Sequence, residues 1–265
     1  MFARLLHELR LAAIALQFLT RLPVPARIGF EPAWLHASAR HFPLVGLVVG
    51  GIGVLAWWIA AQRWPPAVAA GLALSATVVL TGGFHEDGLA DTFDGLGGAV
   101  SRERALQIMK DSRLGSYGAL ALVLVLGLKW QALASLGAAG VSRRAAAAWL
   151  MAHATSRATA VGLLWRMPYA GDADHAKAKP MAQQVSADGA FIAFAWPVIA
   201  ALAIVAVCGR EVGVPLACAV AAAIVVALAM ARWLRRRLGG YTGDTLGAAQ
   251  QLTELAALLA WSAAA

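Results

Sequence analysis

From position 42 onward the chain returns seven times to an apolar block about as long as a bilayer is thick. The blocks are 42–61, 65–82, 116–137, 145–165, 190–208, 212–231 and 246–261. A hydrocarbon core roughly 30 Å deep is crossed by about 20 residues of helix. Lipid offers a backbone amide no partner, so such blocks must fold as helices that satisfy their own hydrogen bonds. The last block is the weakest, because Gln250, Gln251 and Glu254 interrupt it. Composition points the same way: 14% of residues are charged, against about 25% in a soluble domain. The expected fold is all-α, a polytopic membrane bundle of about seven transmembrane helices forming one integral domain over residues 1–265. The series Gly46, Gly50, Gly51 and Gly53 should let a neighbouring helix come close.

Ahead of the blocks, Phe2, Leu5, Leu6, Leu9, Ala13 and Leu16 recur at helical spacing with Arg4, Glu8 and Arg10 between them. Charges inside the run, and Pro23 and Pro25 just after it, argue against a signal peptide. An amphipathic helix lying at the membrane interface fits, within a segment 1–41 on the cytoplasmic side. With the N-terminus cytoplasmic and seven spans alternating, that side receives Arg4, Arg10, Arg21, Arg27, Arg40, Arg102, Arg104, Lys110, Arg113, Arg166, Lys177, Lys179, Arg232, Arg235, Arg236 and Arg237. The other side holds Arg63, Arg143, Arg144 and Arg210. This asymmetry is the positive-inside pattern. It accounts for the net charge of +8 without a nucleic-acid partner. Cys208 and Cys218 sit in apolar blocks without metal-ligand spacing and read as small hydrophobes.

Four of the fourteen acids fall in one run, His85-Glu86-Asp87-Gly88-Leu89-Ala90-Asp91-Thr92-Phe93-Asp94-Gly95. On a helix, Asp87, Asp91 and Asp94 share one face. Three carboxylates on one face repel unless a cation lies between them, and a hard divalent ion with oxygen ligands, Mg²⁺ above all, suits them. Gly88 and Gly95 are expected to leave room for a phosphate ligand. The segment 84–115 is thus the expected catalytic segment, on the cytoplasmic side. Arg102, Arg104, Lys110 and Arg113 follow it, suited to phosphate or simply topogenic. The run Gly239-Gly240-Tyr241-Thr242-Gly243-Asp244-Thr245 precedes the last block, so helix amides there could face an anion and Asp244 could ligate or act as a base. Two charges fall inside spans. Lys129 reads as structural, and Arg157 as either a substrate contact or the partner of Glu254.

Taken together, these residues resemble the cobalamin synthase family, the adenosylcobinamide-GDP ribazoletransferases. The resemblance covers most of the chain. It rests on His85–Asp91 with Asp94-Gly95, on Phe18-Leu19-Thr20-Arg21-Leu22-Pro23, and on Arg40-His41-Phe42-Pro43, where an aromatic is expected in place of His41. Lys110-Asp111-Ser112-Arg113-Leu114-Gly115, Ser156-Arg157 and Tyr241-Thr242-Gly243-Asp244 match in order. It implies a multi-pass enzyme of the cell inner membrane, in contact with lipid. The enzyme would join adenosylcobinamide-GDP to α-ribazole or its 5′-phosphate with Mg²⁺ and release GMP. Carried over, Glu86, Asp87, Asp91 and Asp94 become metal ligands. Arg21, Lys110, Arg113 and Arg157 become phosphate contacts, and His85, Asp94 or Asp244 becomes the catalytic base. Oligomeric state stays open.

Rival classes fit less well. A CDP-alcohol phosphotransferase pattern begins at Asp91-x2-Asp94-Gly95, but Gly98 and Ala99 break it and its later acids are missing. A prenyltransferase would need a second Asp-rich loop, and a transporter would carry its acids mid-span rather than at one mouth. The topology has a direct test. Ala99→Cys should label from outside in sealed inverted vesicles, and labelling only from the periplasmic face of intact cells would overturn it.

Overall fold

The computed structural model describes residues 2–29, 31–98, 100–171 and 185–264; among them every regular element is helical. A short amphipathic entry is made by α1 (Phe2–Leu19) and α2 (Pro32–Ser38). The long helices are α3 (Phe42–Ala61), α4 (Pro66–Thr81), α7 (Ser116–Leu136), α8 (Arg143–Arg166), α9 (Ala187–Cys208), α10 (Gly213–Arg237) and α11 (Gly243–Ala264). Between α4 and α7 lie two shorter helices, α5 (Phe84–Leu96) and α6 (Arg102–Met109). Each of the seven apolar blocks is therefore a helix.

Local chemistry sets the boundaries. Ser101, Ser142 and Ser186 cap α6, α8 and α9 by accepting a backbone N–H with their hydroxyls, which satisfies one orphan donor at each start. Gly82 and Gly83 both have φ of 72°, a left-handed conformation that favours glycine. These two consecutive residues end α4 and turn the next helix by 88°.

Four helical stretches are long and apolar enough to cross a membrane: Pro32–Ala61, Ser116–Leu136, Ala187–Cys208 and Arg210–Arg237. A fifth exists if α4 and α5 count as one bent span. The expected count of about seven is thus met by helices, of which four or five have the length and composition of a span. The 16 residues of α4 reach only about 24 Å, while α8 and α11 carry too many polar groups. The apolar surface makes this a membrane protein. Leu120, Val123, Leu124, Phe191, Val198, Leu202, Val225 and Leu228 all point outward, more than half exposed. Such a continuous apolar surface is tolerable only where the solvent is lipid. Helix α1 divides: Leu11, Ala15 and Leu19 are buried, whereas Leu5, Leu6 and Leu9 are exposed.

The weakest apolar block is the centre of the bundle. Helix α11 packs against α5, α7, α8 and α10, and Gln250, Gln251, Thr253 and Glu254 on it are at most 2% exposed. Their polarity lowers the hydropathy of α11 because protein, not lipid, surrounds them. Two apolar clusters lie on either side of this level. One holds Val45, Leu89, Val125, Val161 and Leu234, and the other Trp57, Leu133, Trp149, Leu216 and Trp261. Between them runs a layer of charge. Lys129 Nζ lies 2.5 Å from Glu254 Oε1, while His153 Nδ1 and Arg157 Nη1 lie 3.1 and 3.4 Å from Glu254 Oε2. Gln250 Nε2 donates to the same carboxylate at 2.5 Å and to Ser156 Oγ at 3.2 Å.

The glycines of α3 admit α8 here. A Cβ on Gly46 would collide with the His153 carbonyl and the Arg157 stem, and one on Gly50 would press the His153 ring. Gly53 faces Thr77 and Trp149, but Gly51 faces open space, so the expected close-packing series includes three of its four members.

Removing one member of a buried ion cluster leaves its partner's charge unpaired, at a cost of about 3–5 kcal/mol. Lys129→Met should therefore lower the thermal midpoint of the purified protein sharply. Adding Glu254→Gln to it should cost less than the two single losses combined, read by thermal unfolding in detergent.

Candidate functional site

Helix α5 presents its acids as the spacing predicts, with Asp87 exposed and Asp91 and Asp94 half-buried. Its surroundings come from α7 and α11. Asp94 receives the backbone N–H of Gly115 at 2.7 Å and of Gly118 at 2.8 Å, one on each oxygen. These amides open α7, so the carboxylate caps that helix and meets its positive end. A side chain at either glycine would collide with the carboxylate. This explains why glycine stands at both positions.

Asp244, some 150 positions downstream in the sequence, arrives at the same helix. It lies in the first turn of α11, whose start is closed reciprocally: Thr242 N–H donates to Thr245 Oγ1 at 2.8 Å, and Thr245 N–H to Thr242 Oγ1 at 3.3 Å. A Cβ on Gly88 would meet the Asp244 carbonyl at 2.7 Å and its Cα at 3.1 Å. Only a glycine lets the two backbones touch. Burial first, then the charge of Asp87, pushes the Asp244 carboxyl up to about 6. The charges of Asp87, Asp244 and Asp94 in turn all bear on Asp91. Three carboxylates, Asp87, Asp91 and Asp244, therefore crowd one mouth with Asp94 beside them. Among the described residues no three His, Cys, Asp or Glu side chains stand close enough together to hold a metal ion between them.

Two acid-run residues turn away. Glu86 Oε1 accepts from Gln251 Nε2 at 2.9 Å, which joins it to the buried layer rather than to the aspartates. His85 is 5% exposed, its ring edge-on to Phe84 and its backbone against Gly247. The charges acting on it are those of Arg157, Glu254, Lys129 and His153. Both residues fall on the inner side of α5. The expected room beside Gly88 and Gly95 is also filled by protein: Asp244 occupies the first, and Met109 and Ala105 of α6 the second.

The expected phosphate contacts separate. Arg21 lies exposed over Gly82, its own N–H held by Leu80 O at 2.8 Å, at the entrance to α5. Lys110 is exposed at the end of α6. Arg113 is 88% exposed and forks onto Asp111 with Nε at 2.9 and 3.1 Å. Hydrogen bonds from Arg113 pull the Asp111 carboxyl down to about 2. Arg157, in contrast, is 2% exposed and paired with Glu254, so of its two expected roles the structure shows the pair. Three cations thus flank the two ends of the acidic helix.

Arg102 binds the Leu238 and Ala170 carbonyls at 2.8 and 3.0 Å, and Arg237 those of Leu96 and Gly98 at 3.1 and 2.8 Å. These clamps, with the Ala170–Tyr241 and Tyr241–Pro168 backbone bonds of 2.8 and 3.0 Å, fix the turn that presents Asp244. Nothing in the sequence separates such clamping arginines from topogenic ones. Lys177 and Lys179 lie outside the described residues.

The close contact of α5 and α11 gives a test. Gly88→Ala should part the two helices and lower kcat by about 100-fold, the scale of an ångström misplacement in a catalytic array. Gly127→Ala, with no atom near its Cβ position, should leave kcat unchanged.

Residues 11–262 match the family model described as cobalamin-5-phosphate synthase. A protein of Leptothrix cholodnii named adenosylcobinamide-GDP ribazoletransferase is 64% identical over 263 residues, covering 98% of each chain. Proteins of the same name from Shewanella amazonensis and Ralstonia nicotianae are each 44% identical, over 260 residues and 97% of each chain, and over 266 residues and 99% of each chain. No solved structure matches the chain.

Proposed function

This chain belongs to the cobalamin-5-phosphate synthase family, and from that we propose that it is a transferase joining adenosylcobinamide-GDP to α-ribazole, or to its 5′-phosphate, in cobalamin synthesis. The observation that carries the reading is the meeting of Asp244 with Asp87 and Asp91 at one mouth.

A ribose hydroxyl of α-ribazole attacks the phosphorus bonded to cobinamide. A new P–O bond forms, the bond to the bridging oxygen breaks, and GMP leaves with that oxygen. Asp87 and Asp91 would hold Mg²⁺: their donors are all oxygen, as a hard cation prefers, and their crowded negative charge calls for one. Bound there, the ion would neutralise diphosphate oxygens and the charge that builds on the bridging oxygen. Asp244 faces the pair from the start of α11 and takes the hydroxyl proton. Burial and Asp87 favour its protonated form, which brings its proton affinity nearer to neutral pH, where a general base works best. Arg21, Lys110 and Arg113 are free of the buried core and reach the diphosphate and phosphate groups of the substrates. Asp94 orients α7 rather than meeting substrate. With all seven long helices crossing, the excess of Lys and Arg on one side supports an inner-membrane protein with its N-terminus and α5 toward the cytoplasm.

The purified protein, given adenosylcobinamide-GDP, α-ribazole and Mg²⁺, should form adenosylcobalamin and GMP, identified by mass spectrometry. Absence of both products in an active preparation would sink the reading. Asp244→Asn should lose about 100-fold or more in kcat, as expected for a general base, while the yield of folded protein holds. A near-normal rate in that variant would remove Asp244 from the chemistry.

A further inference from the structure

Glu86 stands next to Asp87 in the acidic run, yet the proposed chemistry has no use for it where the structure puts it. One residue along a helix is a rotation of about 100°, which carries Glu86 off the aspartate stripe and into the bundle. Oε1 accepts from Gln251 at 2.9 Å, and Oε2 is buried without a hydrogen-bond partner among the described residues. Behind Gln251 stands Lys129, whose Nζ donates to Gln251 Oε1 at 2.9 Å and pairs with Glu254. The buried layer holds two strong cations, Lys129 and Arg157, and Glu86 lies within reach of the charges of both.

We infer that Glu86 is a positioning residue and not a metal ligand: it locks the register of the acidic helix α5 against α11 through Gln251. The inference rests on the proposed transferase reaction and goes past it by naming what holds the site together. The two helices run antiparallel, since Gly88 meets Asp244 while the His85 backbone meets Gly247. Gln251 lies seven residues beyond Asp244, on the same face of α11 and about 10 Å along it. The Glu86–Gln251 bond and the approach of Asp244 to α5 are therefore two ends of one helix–helix contact. Releasing the inner end lets α5 slide or roll, and Asp244 loses its place opposite Asp91. Asp87 and Asp91 are both on α5 and keep their mutual spacing, so a cation held by them stays.

That difference separates an anchor from a ligand. Mn²⁺ binding to the purified full-length protein is measured by electron paramagnetic resonance, beside kcat for the transfer. Glu86→Ala and Gln251→Met should each lower kcat by about 100-fold through misplacement. Their Mn²⁺ affinity should stay within about threefold of the parent, well short of the roughly tenfold or greater loss that disturbing a bound metal's own ligand system brings. Asp91→Asn should lose affinity by at least that tenfold. Glu86→Gln keeps an oxygen for Gln251 and should retain most of the rate and all of the Mn²⁺ affinity; this variant decides alone if Glu86→Ala does not fold. Loss of Mn²⁺ affinity in Glu86→Gln to the level of Asp91→Asn would make Glu86 a ligand and overturn the inference. The kcat cycle does not depend on metal binding: Glu86→Ala with Gln251→Met should be no slower than the slower single variant. Multiplicative losses would mean that the two residues act separately, which also overturns it. Should the parent bind Mn²⁺ and yet transfer no ribazole, the reaction assignment fails. The anchor is then read by protection of α5 amides from hydrogen exchange, which Gln251→Met should reduce and an intact pattern would contradict.

Discussion

The carboxylate of Glu254 is the group around which this bundle is arranged. It is buried on the central helix and meets Lys129 from α7 and both His153 and Arg157 from α8. In a low-dielectric interior a single charge of this kind is untenable alone, and its charged partners come from two of the helices beside it. That requirement pulls α7, α8 and α11 into contact at one level, and the glycines of α3 let a fourth helix close over it. The apolar clusters on either side are then held at fixed heights. Hydrophobic burial cannot supply this, because helices in lipid gain little by hiding apolar surface from a solvent that is equally apolar.

The same layer reaches the site. Through Gln251 it touches α5 at Glu86, one residue from Asp87. The acidic helix is thus tied at its inner side to a rigid polar core, leaving its aspartates at the mouth. Helices α7 and α11 complete the arrangement with their N-termini, one capped by Asp94 and the other carrying Asp244. Groups set on helix ends and braced by buried hydrogen bonds keep their positions better than groups on loops. Arg102 and Arg237 extend the bracing to the connecting turns, each by donating to backbone carbonyls near element ends.

Much of this was legible in the chain itself. Seven apolar blocks became seven helices because lipid permits little else. The aspartate stripe followed from helical period alone. The small number of charges made each acid and base stand out, and the order of the motifs matched a family with which the comparisons agree. What the sequence left undecided has one source. Helix α11 looked like a poor span because Gln250, Gln251 and Glu254 lower its hydropathy, and only its position at the centre explains them. Glu86 and Asp94 looked like ligands of the same kind as Asp87 and Asp91 because all four are acids in one run. Their neighbours, Gln251 in one case and the α7 amides in the other, come from far along the chain.

The sequence by itself determined the helical architecture and the face that carries the aspartates. These follow from short-range rules: the length of an apolar block and the period of a helix. Only the tertiary structure decided which acids face the mouth, that Arg157 belongs to the core, and that Asp244 closes on α5 across some 150 residues. Those outcomes depend on which helices touch and at what height. Contact between helices is set by glycine clearances and by the pairing of buried charges, and neither is written in any one segment of the chain.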